Sequence, residues 1–320
     1  MCFMTADQTI PTRPLLIPFE PPGDSRTASE PDEWQGVFRP HGRILRRVRA
    51  IRRTVFLILW TLTAITIQSV LVVVPGPAKV RFARIFWWMF GRLMGLKVRC
   101  IGQKAKRGRL KDGTRARPVL FVSNHSSWLD IVCLGSTLHA CFVSKDDVAD
   151  WPVVKTVARL GRTIFVSRQR GSTLKERDAM TSRLENGDNL VLFPEGTTSD
   201  GSRVLPFRSA FLSLAVGPNP PLVQPVSIVY DRLASMPTGR STRAIFAYYG
   251  ATSIGAHFWR LAQWKGLRAS VMLHPPLEPA DFPDRKALTN AVYAAVTAGT
   301  DALKQGRVPD PPRPEKRSTP

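Results

Sequence analysis

Apolar residues are laid out along this 320-residue chain in two textures. The first is one long uncharged stretch, Thr54 to Val74 (TVFLILWTLTAITIQSVLVVV), of 21 residues. As a helix rising 1.5 Å per residue it would be about 30 Å long, which matches the hydrocarbon core of a bilayer. Thr61, Thr63, Thr66, Gln68 and Ser69 interrupt its apolarity, and Pro75-Gly76-Pro77 ends it. A second segment, Lys79 to Leu96, sets Phe82, Phe86, Trp87, Trp88 and Phe90 among Arg81, Arg84 and Arg92. The arginines recur near one helical face, and the segment reads as an interfacial helix with Trp at headgroup level. The two segments predict either a spanning helix plus a surface helix or a helical pair embedded in one leaflet. Two buried core helices are the bland alternative, and it leaves the arginines on both flanks unexplained.

The second texture begins after Val98. Short apolar runs read as strands: Pro118 to Val122, Ala140 to Ser144, Thr163 to Val166, Asn189 to Phe193, Leu222 to Val229, Arg243 to Tyr249 and Ala269 to Leu273. Helical patterns fall between several of them, at Ser126 to Leu138, Pro152 to Leu160, Ser172 to Asn186 and Arg208 to Val216. This alternation predicts an α/β fold, a central mixed sheet flanked by helices, preceded by an N-terminal membrane-associated helical segment. The expected organisation is a disordered tail over 1–38, basic membrane-anchoring helices over 39–97, an α/β domain over 98–304 and a second disordered, Pro-rich tail over 305–320.

Charge sharpens the membrane reading. Lys+Arg number 46 against 24 Asp+Glu, a net +22, which favours anionic partners. No Asp or Glu occurs between Trp34 and Lys111, and Arg43, Arg46, Arg47, Arg49, Arg52 and Arg53 crowd directly before the apolar run. A basic cluster beside an apolar span is the pattern of a chain held at an anionic membrane face. Nucleic-acid binding would use the arginines but gives no reason for the apolar run, so no nucleic-acid partner is expected. Cys2, Cys100, Cys133 and Cys141 lack metal-ligand or CxxC spacing. Neither a disulfide framework nor a metal site is expected, and Cys133 and Cys141 read as small buried apolar residues.

The candidate chemistry lies in Asn124-His125-Ser126-Ser127-Trp128-Leu129-Asp130. An apolar strand runs into polar residues there, and a helix follows with Ser126 or Ser127 as a natural N-cap. Five positions of one helix span about 500°, so His125 and Asp130 on a single helix would point about 140° apart. They converge only if His125 sits on the turn before the helix and Asp130 in its first turns. A His held by a carboxylate is a general-base pair. GxSxG is absent and no cysteine is placed as a nucleophile, so the economical chemistry is direct activation of an acceptor hydroxyl.

With this run, three further blocks stand in order: Gly161 to Arg168 (GRTIFVSR), FPEGTTS at 193–199 and Val223-Gln224-Pro225-Val226. Together they resemble the glycerophosphate/lysophospholipid acyltransferase superfamily, over roughly residues 80 to 275. The resemblance implies that His125 and Asp130 are the catalytic pair and that Arg168 with Glu195, Gly196 and Thr197 binds the acceptor. It also implies acyl-CoA or acyl carrier protein as donor substrate and no cofactor. Membrane lipids and a lysolipid acceptor become partners, with the active site on the cytoplasmic face of a bacterial inner membrane. Arg168 closes an apolar strand, where a guanidinium could clamp an anionic group. Lys145 is a weaker candidate, because Asp146 and Asp147 follow it, and Gln224 stands where the family more often has a small or apolar residue. His41, His139, His257 and His274 have no acid at a useful spacing and read as structural or exposed. The first acceptor the resemblance suggests is 1-acyl-sn-glycerol 3-phosphate, giving phosphatidic acid. RVLPFRSA (203–210) and AIFAYYG…HFW (244–259) look more like the branch containing lyso-ornithine lipid acyltransferases, which makes that lipid the second. A non-catalytic lipid-binding membrane protein is the third reading, and the intact His-Asp pair argues against it.

Overall fold

The computed structural model describes residues 42–105, 108–109, 116–145, 164–166, 173–217, 219–250 and 253–307. All of the apolar run but Val74 lies within α1 (Arg43–Val73, 31 residues), which starts eleven residues before the uncharged stretch. The six arginines are therefore part of the helix rather than a flank to it. Its buried residues, Ala50, Leu57, Ala64 and Gln68, recur at intervals of seven, seven and four and form one stripe. The rest of the helix is uncovered, with only 17% of its most apolar window buried. That rules out the core-helix alternative for this segment.

After the Pro-Gly-Pro turn, α2 (Ala78–Met94) runs back along α1. Trp60 stacks on Phe86 with ring centroids 6.3 Å apart, and the Gln68 amide donates to the Lys79 carbonyl at 3.0 Å. Gly95 ends α2 in the left-handed region, and its N–H reaches the carbonyls of Arg92 and Gly91.

The sheet is built from β1 (Leu96–Ile101), β2 (Val119–Ser123), β3 (Cys141–Lys145), β4 (Ile164–Val166), β5 (Leu190–Leu192), β6 (Leu222–Leu233) and β7 (Leu267–Leu273). Their spatial order is β1-β7-β6-β2-β5-β3-β4, with the two-residue strand Met236–Pro237 paired to β6 off this path. From β6 to β4 every described pairing is parallel. β7 is antiparallel to β6, and β1 is parallel to β7.

Both faces of the sheet are covered, so β2 is buried at all five positions. Val119 and Phe121 face a core shared with α1, with α3 (Leu129–Thr137) and with a helix spanning Ile254–Ala262. Leu120 and Val122 face a second core, shared with Leu184 of the helix Thr173–Glu185, with the 3₁₀ turn Ser209–Ala215 and with the C-terminal helix Arg285–Lys304. In chain order these helices are α4 (Thr173–Glu185), α5 (Ile254–Ala262) and α6 (Arg285–Lys304). Cys133 and Cys141 are buried, as their apolar surroundings in the sequence suggested.

Several expectations are corrected. The run 243–249 is not a strand: a short helix at Arg240–Arg243 is followed by a turn that sends Ile245, Phe246 and Ala247 into the core. Phe246 stacks on Tyr230 at 4.8 Å, so the segment fills space instead of pairing. The segment 208–216 is a 3₁₀ turn rather than an α-helix. Helices α5 and α6 and strand β1 add to the expected elements. The expected helix at 152–160 lies outside the described residues.

Candidate active site

Parallel strands β2, β5 and β6 deliver their loops toward one sheet edge, where open α/β sheets place ligands. Strand β2 ends at Ser123, and residues 124–128 turn before α3 starts at Leu129. The Asn124 amide mimics a peptide there: its Nδ2 donates to the Ile228 carbonyl at 3.0 Å and its Oδ1 accepts from the Ile228 N–H at 2.9 Å. This extends the β2–β6 ladder by one position beyond the strand and fixes the exit angle of the chain.

The turn is capped from inside the helix. Neither Ser126 nor Ser127 is the N-cap residue: Trp128 takes that position, because α3 begins one position later than a Ser127 cap would set it. Asp130 reaches back instead, and its Oδ2 accepts from the backbone N–H of Ser126 at 2.7 Å and of Ser127 at 2.9 Å. The same oxygen takes a hydrogen bond from His125 Nδ1 at 2.8 Å. Its other oxygen, Oδ1, accepts from the Tyr230 hydroxyl at 2.5 Å. Asp130 is fully buried, and four donors offset the cost of desolvating its charge. With Nδ1 donating to a carboxylate, the neutral imidazole carries its lone pair on Nε2. That atom has no partner among the described residues, and the His125 side chain keeps 19% of its surface. Phe193 stacks on the imidazole at 4.1 Å and an interplanar angle of 19°, which holds the ring plane.

The FPEGTTS loop supports this turn. Glu195 is 3% exposed, and both its oxygens are engaged by backbone: Oε1 accepts from the His125 N–H at 2.8 Å and Oε2 from the Leu205 N–H at 3.3 Å. Burial pushes its carboxyl up to about 8, against the pull of those two N–H groups. The Asp130 charge adds to the rise and the Lys304 ammonium opposes it. Ser199 donates its N–H to the His125 carbonyl at 3.0 Å. Gly196 adopts φ +70, and the Arg208 guanidinium lies over its Cα. Thr197 is exposed beside it. Arg168 lies outside the described residues, as do the side chain of Lys145 and residues Asp146 and Asp147; strand β4 ends two residues before Arg168.

Other groups in the sequence blocks prove structural. Gln224 is fully buried; its amide donates to the Gln103 and His274 carbonyls at 2.8 and 2.7 Å, and its Oε1 accepts from Ala105. His257 accepts from the Trp128 indole N–H at 2.9 Å and bonds the Ile245 carbonyl at 3.1 Å. Burial, then the Arg260 charge, lowers it to about 4, so it is a neutral bridge between α5 and the active-site turn. Tyr230 is the site residue that motif reasoning missed. Its one sequence signal is its place on the same strand as the fourth block, five residues past Pro225.

The profile of the Acyltransferase family matches residues 97–229. A lyso-ornithine lipid O-acyltransferase of Brucella abortus is 35% identical over 254 residues, 77% of this chain and 92% of that protein. The chain belongs to the glycerophosphate/lysophospholipid acyltransferase superfamily. A second protein named lyso-ornithine lipid O-acyltransferase, from Rhodobacter capsulatus, is 34% identical over 59% of this acyltransferase and 70% of its own length. A 1-acyl-sn-glycerol-3-phosphate acyltransferase of Neisseria gonorrhoeae is 27% identical over 56% and 68%. The fold matches the crystal structure of the 1-acyl-sn-glycerophosphate acyltransferase of Thermotoga maritima, with a TM-score of 0.55 at 19% identity, over 82% of this chain and 95% of that one. Within the acyltransferase, the family's first and third blocks are the two loops that Glu195 and Ser199 tie together around His125.

Proposed function

We propose that this acyltransferase is a lyso-ornithine lipid O-acyltransferase, moving a fatty acyl group from acyl-CoA or acyl carrier protein onto the lipid's free hydroxyl. The observation that carries the chemistry is the 2.8 Å bond from His125 Nδ1 to a buried Asp130, which leaves Nε2 as a base in an accessible position. The acceptor hydroxyl gives its proton to Nε2 as its oxygen attacks the thioester carbonyl. The tetrahedral intermediate then breaks its C–S bond, and the imidazolium returns the proton to the departing thiolate. Ester and thiol are the products, with no acyl-enzyme on the path.

The choice of acceptor departs from the sequence reading's first choice, phosphatidic acid formation. Relatives named for lyso-ornithine lipid match with higher identity than the bacterial relatives named for 1-acyl-sn-glycerol 3-phosphate, which supports the second choice. An amino-acid headgroup offers a carboxylate where the other acceptor offers phosphate. Arg208 over Gly196, and Arg168 beyond β4, are the guanidinium groups we assign to it. In this reading Glu195 acts by holding the His125 turn, and the exposed Thr197 and Gly196 border the acceptor.

Helix α1 faces the membrane within one leaflet in this account. Arg49 and Arg53 dock one end of it on the Gln263, Ala262 and Trp264 carbonyls and Gln68 ties the other end to α2, which supports this placement over a span by α1 alone. The test offers purified protein, in vesicles with acyl-CoA or acyl carrier protein as donor, lyso-ornithine lipid and lysophosphatidic acid in separate assays. Preferential turnover of lyso-ornithine lipid is expected, and exclusive turnover of lysophosphatidic acid would refute the assignment.

A further inference from the structure

Asp130 divides its acceptor capacity unevenly. Oδ2 serves three N–H donors, from His125, Ser126 and Ser127, and all three belong to the turn that the aspartate shapes. Oδ1 has one donor, the hydroxyl of Tyr230, a hundred residues away on β6. Both side chains are almost wholly buried. The Tyr230 ring is stacked on Phe246, nearly parallel at 5° with centroids 4.8 Å apart. Its carbonyl is held by the Thr238 hydroxyl at 2.7 Å. The phenol is thus fixed at both ends of its reach, and a purely packing role would have been met by Phe.

We propose that Tyr230 is a positioning residue of the acyl-transfer reaction: through its hydroxyl it holds Asp130 in place and sets how strongly that carboxylate draws the His125 proton. A donor on Oδ1 withdraws charge from the carboxylate and weakens its hold on the imidazolium. Without it, Asp130 becomes more basic, the imidazolium is favoured, and the base is lost at a higher pH. The phenol stays protonated as donor, since burial and then the Asp130 charge push it well above the usual phenol value. The other titratable groups facing this cluster are Cys133, one turn along α3, Glu195 from the loop after β5, and Lys304 of α6, which lines a small cavity beside Tyr230 together with Arg203 and Arg243. Burial holds the Cys133 thiol well above its ordinary value and therefore uncharged.

This inference rests on His125 acting as general base, and the experiment separates the two ideas. The pH dependence of kcat/KM is measured for the wild type, for Tyr230→Phe, and for protein carrying 3-fluorotyrosine at position 230. The fluorinated residue keeps the packing and is a stronger donor. The acidic limb is expected to move up by about half a pH unit or more in Tyr230→Phe, with kcat rather than KM carrying the change, and to move down with fluorotyrosine. In an Asp130→Asn background, Tyr230→Phe should add little further loss. An acidic limb that stays put in both variants of an active enzyme would overturn the role of Tyr230 alone. If Tyr230→Phe fails to fold, the fluorotyrosine limb decides by itself. A wild type without acyl transfer would instead overturn the reading of His125.

Discussion

Glu195 is the residue where buried charge and architecture meet most sharply. Its carboxyl is closed off from water and ties the turn bearing His125 to the loop at Leu205. Its value in the folded protein is raised to about 8 from the usual 4.5, so the folded state binds this proton more tightly than the unfolded chain does. The stability this group contributes is fully present below about pH 4.5 and is lost as pH rises through about 8. Thermal unfolding followed from pH 6 to pH 9 should therefore show a falling Tm. Glu195→Gln, which cannot ionise, should flatten that fall; an equal slope in both proteins would show that the group is already ionised at neutral pH. The sequence made the His125–Asp130 pair legible because both partners sit in one seven-residue run. Tyr230 was not legible, because its partner is a hundred positions away and only the register of β6 against β2 brings them together. Gln224 shows the reverse: a residue singled out by a motif turns out to hold three backbone groups near the end of β1.

At the scale of elements, the strands were the readable part. Runs such as VLFVS and LVL are buried on both faces and so appear as unbroken apolar stretches. The segment 243–249 is also mostly apolar yet packs as a core plug, and periodicity alone does not separate the two. Helix α1 was legible as apolar, but the role of its arginines was not. Arg46 lies over the Trp264 ring at 5.0 Å, Arg49 donates to the Gln263 carbonyl at 2.7 Å, and Arg53 reaches the Ala262 and Trp264 carbonyls. These three, spaced three and four apart, cap the end of α5, while Arg43, Arg47 and Arg52 stay exposed. The cluster thus divides, three guanidinium groups docking the helix and three left exposed, which under the proposed membrane placement would face anionic headgroups. The opposite side of α1 exposes Phe56, Leu59 and Leu62 by more than half. Each such side chain gains roughly 1.5–3 kcal/mol on leaving water. Substituting all three by Asp should release the protein from membranes in flotation assays while its folding cooperativity is retained. Continued flotation of that variant would show that α1 is not the membrane-facing element.

For the whole molecule, two cores lie on either side of one sheet, a helical hairpin rides on one flank, and the site opens at the edge where the parallel strands end. The net charge of +22 suits an anionic membrane face and acidic donor proteins. The hairpin is joined to the chemistry by a short chain of contacts: Arg53 holds the end of α5, His257 within α5 holds Trp128, and Trp128 lies between His125 and Asp130 in sequence. The central claim is that an acceptor hydroxyl loses its proton to His125. It is tested most directly by measuring acyl transfer from a thioester donor to lyso-ornithine lipid by His125→Ala protein bound to vesicles. The account predicts a loss of about a thousandfold or more with membrane binding and Tm close to wild type. Activity within about tenfold of the wild type would contradict it.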